Sequence, residues 1–253
     1  MELILKILGF TVLGFFGLVL LYLGFLAICA YCFVSPKKEY DKNSRFYRRL
    51  LYDPTSIVLF FGRVHVLTTG LEKMPEGRFL LVSNHRSNFD PIVTWHVLEK
   101  YDLAYISKFE NFKVPIWGRI IRKCCFLGIN RTDAREGLKT IIKAVKLLKA
   151  DEVSIGIYPE GTRSKDARLS QFHAGSFKTA QQAGVPVVVM TVRGTEKIHK
   201  NFPFRKSNVN VDILEVIPAE EAKALKTQEL SEKVREIMRA NLPEEKDVEI
   251  QAE

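Results

Sequence analysis

Residues 7–36 contain no charged side chain, and this uncharged run constrains the chain more than any other feature. Residues 10–28 alone meet the threshold of about 18 apolar residues for a membrane helix. A cleaved signal peptide has an apolar core of only about 7 to 15 residues, so we interpret residues 1–36 as a membrane anchor. A helix of roughly thirty residues would extend about 45 Å against a hydrocarbon core of about 30 Å. The anchor is therefore one tilted spanning helix or a re-entrant helix pair broken near a glycine, and we favour the pair.

Basic residues dominate the segment directly after the anchor. Residues 37–49 contain six lysines and arginines against two acidic residues, and by the positive-inside rule this places the following domain on the cytoplasmic face. The whole chain has 38 basic and 29 acidic residues, a formal charge of +9. A basic domain beside a membrane suits anionic lipid or a phosphorylated substrate. The same excess could indicate nucleic acid, but the anchor makes nucleic acid the poorer interpretation.

The four cysteines do not form a disulfide framework. Cys29 and Cys32 have the spacing of a redox or metal motif, but they lie in the apolar anchor and are better interpreted as membrane-helix residues. Cys124 and Cys125 are adjacent in the sequence. Because the chain has no paired metal-ligand spacing, no G-x-G-x-x-G and no Walker sequence, we predict no metal site.

The remaining residues, 37–253, alternate short apolar runs with helical patterns. A content of 47% hydrophobic and 26% charged residues excludes a disordered chain. The alternation predicts a single α/β domain with a mostly parallel central sheet flanked by helices, followed by a short acidic C-terminal tail. The predicted strands are 57–61, 64–67, 79–82, 103–107, 125–130, 153–159, 185–192 and 209–216, the last as a half-exposed edge strand. Predicted helices begin near Pro91 and cover 138–148, 175–183 and 230–238, with Thr132 as a plausible cap. In the helix over 138–148, the helical spacing places Leu138, Ile141, Ile142, Val145 and Leu148 on one face. Segment 109–123 fits a bilayer-interface segment and a core helix equally well.

The run over 79–82 is continuously apolar, as in a strand covered on both faces, and it stops at a polar cluster that contains His85 and Asp90. Ligands favour the carboxyl ends of such strands. A carboxylate that accepts a hydrogen bond from one imidazole nitrogen leaves the other nitrogen free to remove a proton. Asp90-Pro91 is also a typical helix start with aspartate as the N-cap, and the two roles are compatible.

Further polar residues follow other predicted strands. Lys108 and Arg131 each end a strand, and the tetrapeptide Glu160-Gly161-Thr162-Arg163 follows strand 153–159. Glycine permits close backbone approach, threonine supplies a hydroxyl, and a guanidinium can hold a phosphate through two hydrogen bonds. Lys108 could equally be a solvated surface lysine, and the tetrapeptide could be an ordinary turn with a surface arginine. For the tetrapeptide, the position after a strand favours a site.

Taken in order, these segments resemble the glycerophospholipid acyltransferase family, especially the 1-acyl-sn-glycerol-3-phosphate (lysophosphatidic acid) acyltransferases. The resemblance covers roughly residues 60–217. It rests on Asn84-His85 with Ser87 and Asp90, the strand ending in Arg131, Tyr158-Pro-Glu-Gly-Thr-Arg-Ser164, and Val185-Pro186. Gly128 and Val189 depart from the family's pattern and leave the substrate less secure than the reaction class.

The resemblance implies transfer of a fatty acyl group from a thioester of coenzyme A or acyl carrier protein, without a bound cofactor. The acceptor would be the free hydroxyl of 1-acyl-sn-glycerol-3-phosphate, and the product phosphatidic acid for phospholipid biosynthesis. His85 would be the general base and Asp90 would orient it. The substrate would be bound by Asn84, Lys108, Arg131, Glu160, Gly161, Thr162 and Arg163.

Three alternatives stay open at this stage. The acceptor could be another lysophospholipid or glycerol-3-phosphate. The domain could be a non-catalytic module that binds anionic lipid. It could also be a hydrolase with Ser87 as nucleophile, although no G-x-S-x-G sequence surrounds that serine.

Overall fold

A seven-stranded sheet lies at the centre of the computed structural model, which describes residues 1–130, 133–164 and 169–242. Its strands are β1 (Val64–Thr69), β2 (Leu80–Ser83), β3 (Ala104–Lys108), β4 (Leu127–Ile129), β5 (Ile155–Ile157), β6 (Val187–Arg193) and β7 (Ser207–Ile217). Their order across the sheet is β1-β7-β6-β2-β5-β3-β4. Strands β6 and β7 pair antiparallel, and the other neighbours pair parallel. The predicted α/β architecture with a mostly parallel sheet is therefore confirmed.

The α-helices precede, connect and follow these strands. They are α1 (Glu2–Phe33), α2 (Arg45–Phe61), α3 (Asp90–Val97), α4 (Trp117–Lys123), α5 (Ala134–Lys149), α6 (Lys178–Ala183), α7 (Ile198–Asn201), α8 (Ala219–Ala224) and α9 (Thr227–Asn241). Helix α6 ends at Gly184 in the left-handed conformation, as the sequence predicts. The predicted closing helix is α9, whose buried face includes Leu230, Val234 and Met238.

Strand β2 occupies the interior of the sheet, as its continuous apolar run predicts. It lies between β5 and β6, and Leu80, Leu81 and Val82 are wholly buried. Strands β2, β3, β5 and β6 all run in the same direction, so their carboxyl ends meet at one edge of the sheet. The loops that follow these four strands therefore lie close together, at the edge where α/β sheets usually bind ligands.

Two strand predictions are wrong. Residues 57–61 belong to α2, whose Leu50, Leu51 and Thr55 are buried on one face, and this helical packing overrides the high β-propensity of the residues that follow. Strand β7 is an interior strand between β1 and β6 rather than an edge strand. Val209, Val211 and Ile213 are buried, whereas the exposure of the polar positions varies from exposed Asn208 to buried Asp212.

The buried face of α5 also differs from the predicted one. Ile141, Ala144, Leu147 and Leu148 are buried, whereas Leu138 and Ile142, which the spacing placed on the core face, are 52% and 55% exposed. Asp133 is the N-cap of this helix, and its carboxylate accepts hydrogen bonds from the backbone N–H groups of residues 135 and 136. The predicted cap Thr132 lies outside the described residues. Since the core side of a helix is set by its neighbours, a wide apolar stripe does not fix the rotation.

Helix α1 is continuous and passes all the anchor glycines without a break, so the helix pair that we favoured from the sequence is not what the structure has. Among the described residues it is the helix that is long and apolar enough to cross a membrane. Its C-terminal end packs on the domain: the Tyr47 hydroxyl donates to the Cys29 carbonyl at 2.9 Å, and Arg119 donates to the Val34 carbonyl at 2.6 Å. Most of its remaining side chains are exposed.

Segment 109–123 contains the predicted core helix, while its position at a bilayer interface stays a prediction. It consists of a short 3-10 turn at Phe109–Lys113 and helix α4. Ile120 and Ile121 of α4 are buried in the core, while Phe109 and Val114 are each 46% exposed. The segment therefore joins the core through its helix and leaves apolar side chains on the surface through its first half.

Candidate active site

The loop after β2 brings the His85 imidazole against the Asp90 carboxylate. His85 Nδ1 and Asp90 Oδ2 lie 2.7 Å apart, and because an ionised carboxylate only accepts, the imidazole donates from Nδ1. The Asp90 side chain is wholly buried, whereas that of His85 is 17% exposed. His85 also lines a cavity in the domain. This geometry leaves Nε2 of the imidazole available to accept a proton.

Several donors surround the buried Asp90 carboxylate. Its Oδ2 accepts from the backbone N–H of Arg86 at 2.7 Å and of Ser87 at 2.8 Å, and its Oδ1 accepts from the Thr195 hydroxyl. The carboxylate therefore points back into the loop rather than over the first turn of α3. Phe89, not Asp90, occupies the N-cap position, so the capping prediction is wrong.

Two tyrosines stack behind the catalytic candidate. The rings of His85 and Tyr158 are 4.2 Å apart at 17°, and those of Tyr158 and Tyr105 are 5.4 Å apart at 3°. Burial raises the pKa of both phenols above the ordinary value, so they stay neutral and do not compete with His85 for protons. The Tyr105 hydroxyl bonds to that of Thr94, which anchors the stack in the core. The stack fixes the plane of the imidazole and faces it with an electron-rich ring.

Glu160 braces two loops around His85. Its Oε1 accepts from the backbone N–H of His85 at 2.9 Å and its Oε2 accepts from that of Ser170 at 3.0 Å. Burial raises the pKa of this carboxyl, while the backbone hydrogen bonds from Ser170 and His85 oppose the shift. The next residue, Gly161, has φ +72, and a Cβ atom there would lie 3.0 Å from the His173 ring. The motif thus folds as a tight turn whose backbone needs glycine.

Asn84 ties the same loop to the end of β6. Its side-chain N–H donates to the Val192 carbonyl at 2.9 Å, and its side-chain oxygen accepts from the Val192 N–H at 2.8 Å. The residue is buried, and neither Asn84 nor Glu160 lies in the wall of the cavity. Both polar side chains therefore support the loop through backbone contacts.

The Ser87 side chain is not placed as the nucleophile of a hydrolase would be. Its hydroxyl accepts from the Phe89 N–H at 3.2 Å, and the residue is buried. It does not line the cavity that His85 enters. His85 instead bonds Asp90 through Nδ1, and no contact within the described chain joins its imidazole to the Ser87 hydroxyl.

A cavity of about 510 Å³ opens beside the His85–Tyr158 stack. Its volume falls in the usual range for small-molecule sites, about 300 to 1,000 Å³. Four of the residues predicted to form the site line it, namely His85, Lys108, Thr162 and Arg163. The apolar part of the wall comes from Ile92, Trp95, Trp117, Ile121 and Phe126. The cavity therefore offers a base, cations and an apolar surface, a combination that suits a charged amphiphile.

Of the other predicted positions, Gly161 does not line the cavity, and Arg131 is outside the described residues. Sequence reasoning missed the Tyr105–Tyr158 stack and Thr195. Tyr158 had a usable signal, because it is an aromatic directly before the Pro-Glu-Gly-Thr-Arg segment. In the part of the chain that the structure describes, no group of three or more His, Cys, Asp or Glu side chains could hold a metal ion.

Comparison with known proteins gives consistent matches. Residues 65–193 match the model of the Acyltransferase family. The chloroplastic 1-acyl-sn-glycerol-3-phosphate acyltransferase of Arabidopsis thaliana is 34% identical over 184 residues, covering 72% of this chain and 50% of the relative. The 1-acyl-sn-glycerol-3-phosphate acyltransferase of Escherichia coli K12 is 28% identical over 169 residues, covering 66% of this chain and 68% of the relative. The chain spans about half the length of its plant and algal relatives.

The fold itself has a solved counterpart. The crystal structure of the 1-acyl-sn-glycerophosphate acyltransferase from Thermotoga maritima superposes with a TM-score of 0.63 at 23% sequence identity. The match covers 92% of this chain and 90% of that chain. The likeness extends over nearly the full length of both chains, so the two share an architecture.

Proposed function

This chain belongs to the Acyltransferase family, and we propose that it transfers a fatty acyl group from an acyl thioester to the free hydroxyl of 1-acyl-sn-glycerol-3-phosphate, giving phosphatidic acid. The observation that carries the proposal is the His85–Asp90 pair, whose imidazole enters a cavity with cationic and apolar walls. The names of the relatives from Arabidopsis thaliana and Escherichia coli support the same acceptor.

The proposed chemistry begins with His85. Nε2 of the neutral imidazole takes the proton of the acceptor hydroxyl while the oxygen attacks the thioester carbonyl carbon. A tetrahedral intermediate forms, its carbon–sulfur bond breaks, and the imidazolium returns the proton to the departing thiolate. Asp90 stabilises the imidazolium and keeps the productive tautomer without taking the proton itself. Proton transfer of this kind contributes typically about 10² to 10⁴ in rate.

The cavity wall suits the acceptor. Lys108, Thr162 and Arg163 can hold the phosphate, and Arg131 joins them by its place in the family pattern. Holding the phosphate brings the free hydroxyl to His85 and makes the attack effectively intramolecular. The tryptophans Trp95 and Trp117 border the apolar part of the cavity, which would take an acyl chain.

In this proposal, three of the predicted residues position the site without contacting the substrate, namely Asn84, Glu160 and Gly161. Asn84 and Glu160 hold its backbone, and Gly161 permits the tight turn that presents Thr162 and Arg163. The donor is a thioester of coenzyme A or acyl carrier protein. Both present the same acyl carbonyl to the cavity, and the assay below separates them.

We also propose that the protein is membrane-bound with its domain on the cytoplasmic face. The apolar side chains of α1 are largely exposed, for example Phe10 at 73%. A second group of exposed aromatics, Phe60, Phe61 and Phe204, lies where Arg63 donates to the Phe204 carbonyl at 2.9 Å. Aromatic and basic residues together favour the interface of an anionic bilayer.

The test is an acyl-transfer assay with purified full-length protein in vesicles that contain anionic lipid. Two donors that carry a labelled acyl group are used, acyl-coenzyme A and the acyl thioester of acyl carrier protein. Each donor is offered with 1-acyl-sn-glycerol-3-phosphate, glycerol-3-phosphate, another lysophospholipid and an unphosphorylated monoacylglycerol. We expect phosphatidic acid to form with at least one donor, and His85→Ala to lower turnover by at least about a hundredfold. The matched control is His65→Ala, an exposed histidine on β1, which should keep full activity.

Each competing reading has its own result in this assay. Release of free fatty acid without an acylated product would indicate a hydrolase. Retention of the acceptor on the protein without any turnover would indicate a lipid-binding module. Acylation of glycerol-3-phosphate alone would show that the reaction class is right and the proposed acceptor is wrong. Wild-type turnover in His85→Ala would refute the mechanism whatever the acceptor.

A further inference from the structure

Thr195 contacts the buried carboxylate of Asp90 from a distant part of the chain. The Thr195 hydroxyl donates to Asp90 Oδ1, on the side of the carboxylate away from the loop amides that bind Oδ2. Both residues are wholly buried. The polar chain therefore runs from Thr195 through Asp90 to the imidazole of His85.

The fold fixes Thr195 in this place. Strand β6 lies next to β2 in the sheet, and Asn84 binds both backbone groups of Val192 near the end of β6. Gly194 then turns the chain with φ +90, and a Cβ atom there would lie 2.3 Å from the Asn208 carbonyl oxygen. A glycine at this turn lets Thr195 follow directly after the strand and reach Asp90.

We propose that Thr195 is a positioning residue for His85, acting through Asp90. This inference rests on the acyl transfer proposed above, since it assigns Thr195 to the same site. A hydroxyl that donates to Oδ1 stops the carboxylate from rotating and stabilises its charge in a site from which water is excluded. Without that donor, Oδ1 becomes an unsatisfied buried acceptor, and the carboxylate stabilises the imidazolium less well.

A purely structural role for the hydroxyl predicts different behaviour. In that case its loss would lower the thermal stability of the fold and leave the titration of His85 and the ratio of kcat to KM unchanged. A positioning role changes kcat and the pH dependence, because both depend on the pairing of His85 with Asp90. The acceptor KM should stay the same, because Thr195 does not line the cavity.

The central comparison is between Thr195→Val, which keeps the shape and removes the hydroxyl, and Thr195→Ser, which keeps the hydroxyl. We expect kcat to fall about tenfold to a hundredfold in Thr195→Val, the loss typical of one hydrogen bond to a charged group, with the acceptor KM within about twofold. Thr195→Ser should stay within about threefold of the wild type. The matched control is Thr191→Val, which removes a buried hydroxyl on β6 that donates to Asn241 at 2.7 Å. It should lower stability and leave kcat unchanged.

A second readout needs no turnover. The titration of the His85 imidazole is followed by NMR in detergent micelles on full-length protein with labelled histidine. We expect the midpoint to move in Thr195→Val, to match the wild type in Thr195→Ser, and to shift in the same direction as the pH profile of kcat. Should Thr195→Val fail to fold, Thr195→Cys, a small side chain with a weak donor, takes its place in both experiments.

The results separate the two proposals. A folded Thr195→Val variant with wild-type kcat and an unchanged His85 titration overturns the inference. Equal loss in Thr195→Ser and Thr195→Val overturns it as well, since the hydroxyl would not be the cause. If the wild type acylates none of the acceptors but the His85 titration still moves only in Thr195→Val, the positioning contact stands and the proposed function falls.

Discussion

The Asp90 carboxylate concentrates the electrostatics of the candidate site in one wholly buried group. An uncompensated charge in such a place would cost several kcal/mol, and the fold avoids this cost by aiming donors at both oxygens. Backbone amides supply part of this set and His85 and Thr195 supply the rest. A carboxylate held in this way can face an imidazolium in a fixed direction, which is the requirement of the proposed mechanism.

Asp90→Asn separates the charge of this residue from its shape. The amide oxygen can take over the donors to Oδ2, and the amide N–H can donate to the Thr195 hydroxyl oxygen, so the fold should survive. The imidazolium loses its counter-charge, and we expect kcat to fall at least about a hundredfold. Steady-state kinetics and thermal unfolding check the prediction, with Asp53→Asn on α2 as the control, because that half-exposed side chain does not line the cavity. Turnover close to wild type would show that the charge of Asp90 is dispensable.

The side chains of the candidate site were predictable where a local pattern carried them. His85, Lys108, Thr162 and Arg163 follow strands of a parallel sheet, and the sheet brings strand ends together at one edge. Thr195 and Tyr105 gave no such signal, because their contacts depend on which strands are neighbours. Asn84 and Glu160 were predicted to bind the substrate because they belong to the recognised motifs. Their polar side-chain atoms instead bind backbone groups, and neither residue lines the cavity. A motif in the sequence shows that a polar residue matters, but its hydrogen-bond partner depends on the folded structure.

At the scale of elements, the pairing of β2 with β6 holds the site together, and Asn84 extends that pairing by one side chain. The interior strand β2 was predictable from its continuous apolar run. The positions of α2 and β7 were not, since a helix or a strand is decided there by packing against neighbours and not by the propensity of a few residues. The predicted buried face of α5 was wrong for the same reason.

Asn84→Asp tests the link between the loop and β6. The introduced carboxyl lacks the N–H that binds the Val192 carbonyl, so we expect the free energy of unfolding to fall by about 1 to 3 kcal/mol at neutral pH. Burial without a counter-charge should raise the folded-state pKa of that carboxyl above its unfolded value. The folded state then binds the proton more tightly, so stability should recover below the unfolded pKa and decline as the pH rises through the folded one.

Denaturant unfolding at several pH values measures this dependence. The control is Asn208→Asp, an exposed position on β7, which should show little change. If Asn84→Asp keeps wild-type stability but raises the acceptor KM, the structural role of the contact between Asn84 and Val192 is contradicted. Asn84 would then be a substrate-binding residue. Because both variants introduce the same group, the difference between them isolates the buried contact.

At the scale of the whole molecule, the contacts that join α1 to the described part of the domain lie near one end of the helix. Leu26, Cys29, Ala30 and Val34 are buried against the domain, and the preceding residues are mostly exposed. The exposed part, roughly the first 24 residues, would be about 36 Å long, which crosses a hydrocarbon core of about 30 Å with a moderate tilt. The excess length that suggested a broken pair is thus taken up by docking. The long apolar helix was predictable from the sequence, but the sequence had no information on this contact.

We therefore propose a single span, because α1 is continuous, and cysteine labelling can decide between the two arrangements. In a Cys32→Ser background, Leu3→Cys reports the start of α1 and Glu232→Cys, an exposed position on α9, reports the domain. The continuous helix and the basic segment 37–49 predict that a membrane-impermeant maleimide labels Leu3→Cys in intact cells and Glu232→Cys only after permeabilisation. Labelling of both positions only after permeabilisation would place both ends of α1 on the cytoplasmic side. The helix would then lie within one leaflet, and the domain would approach its lipid substrate without a transmembrane span.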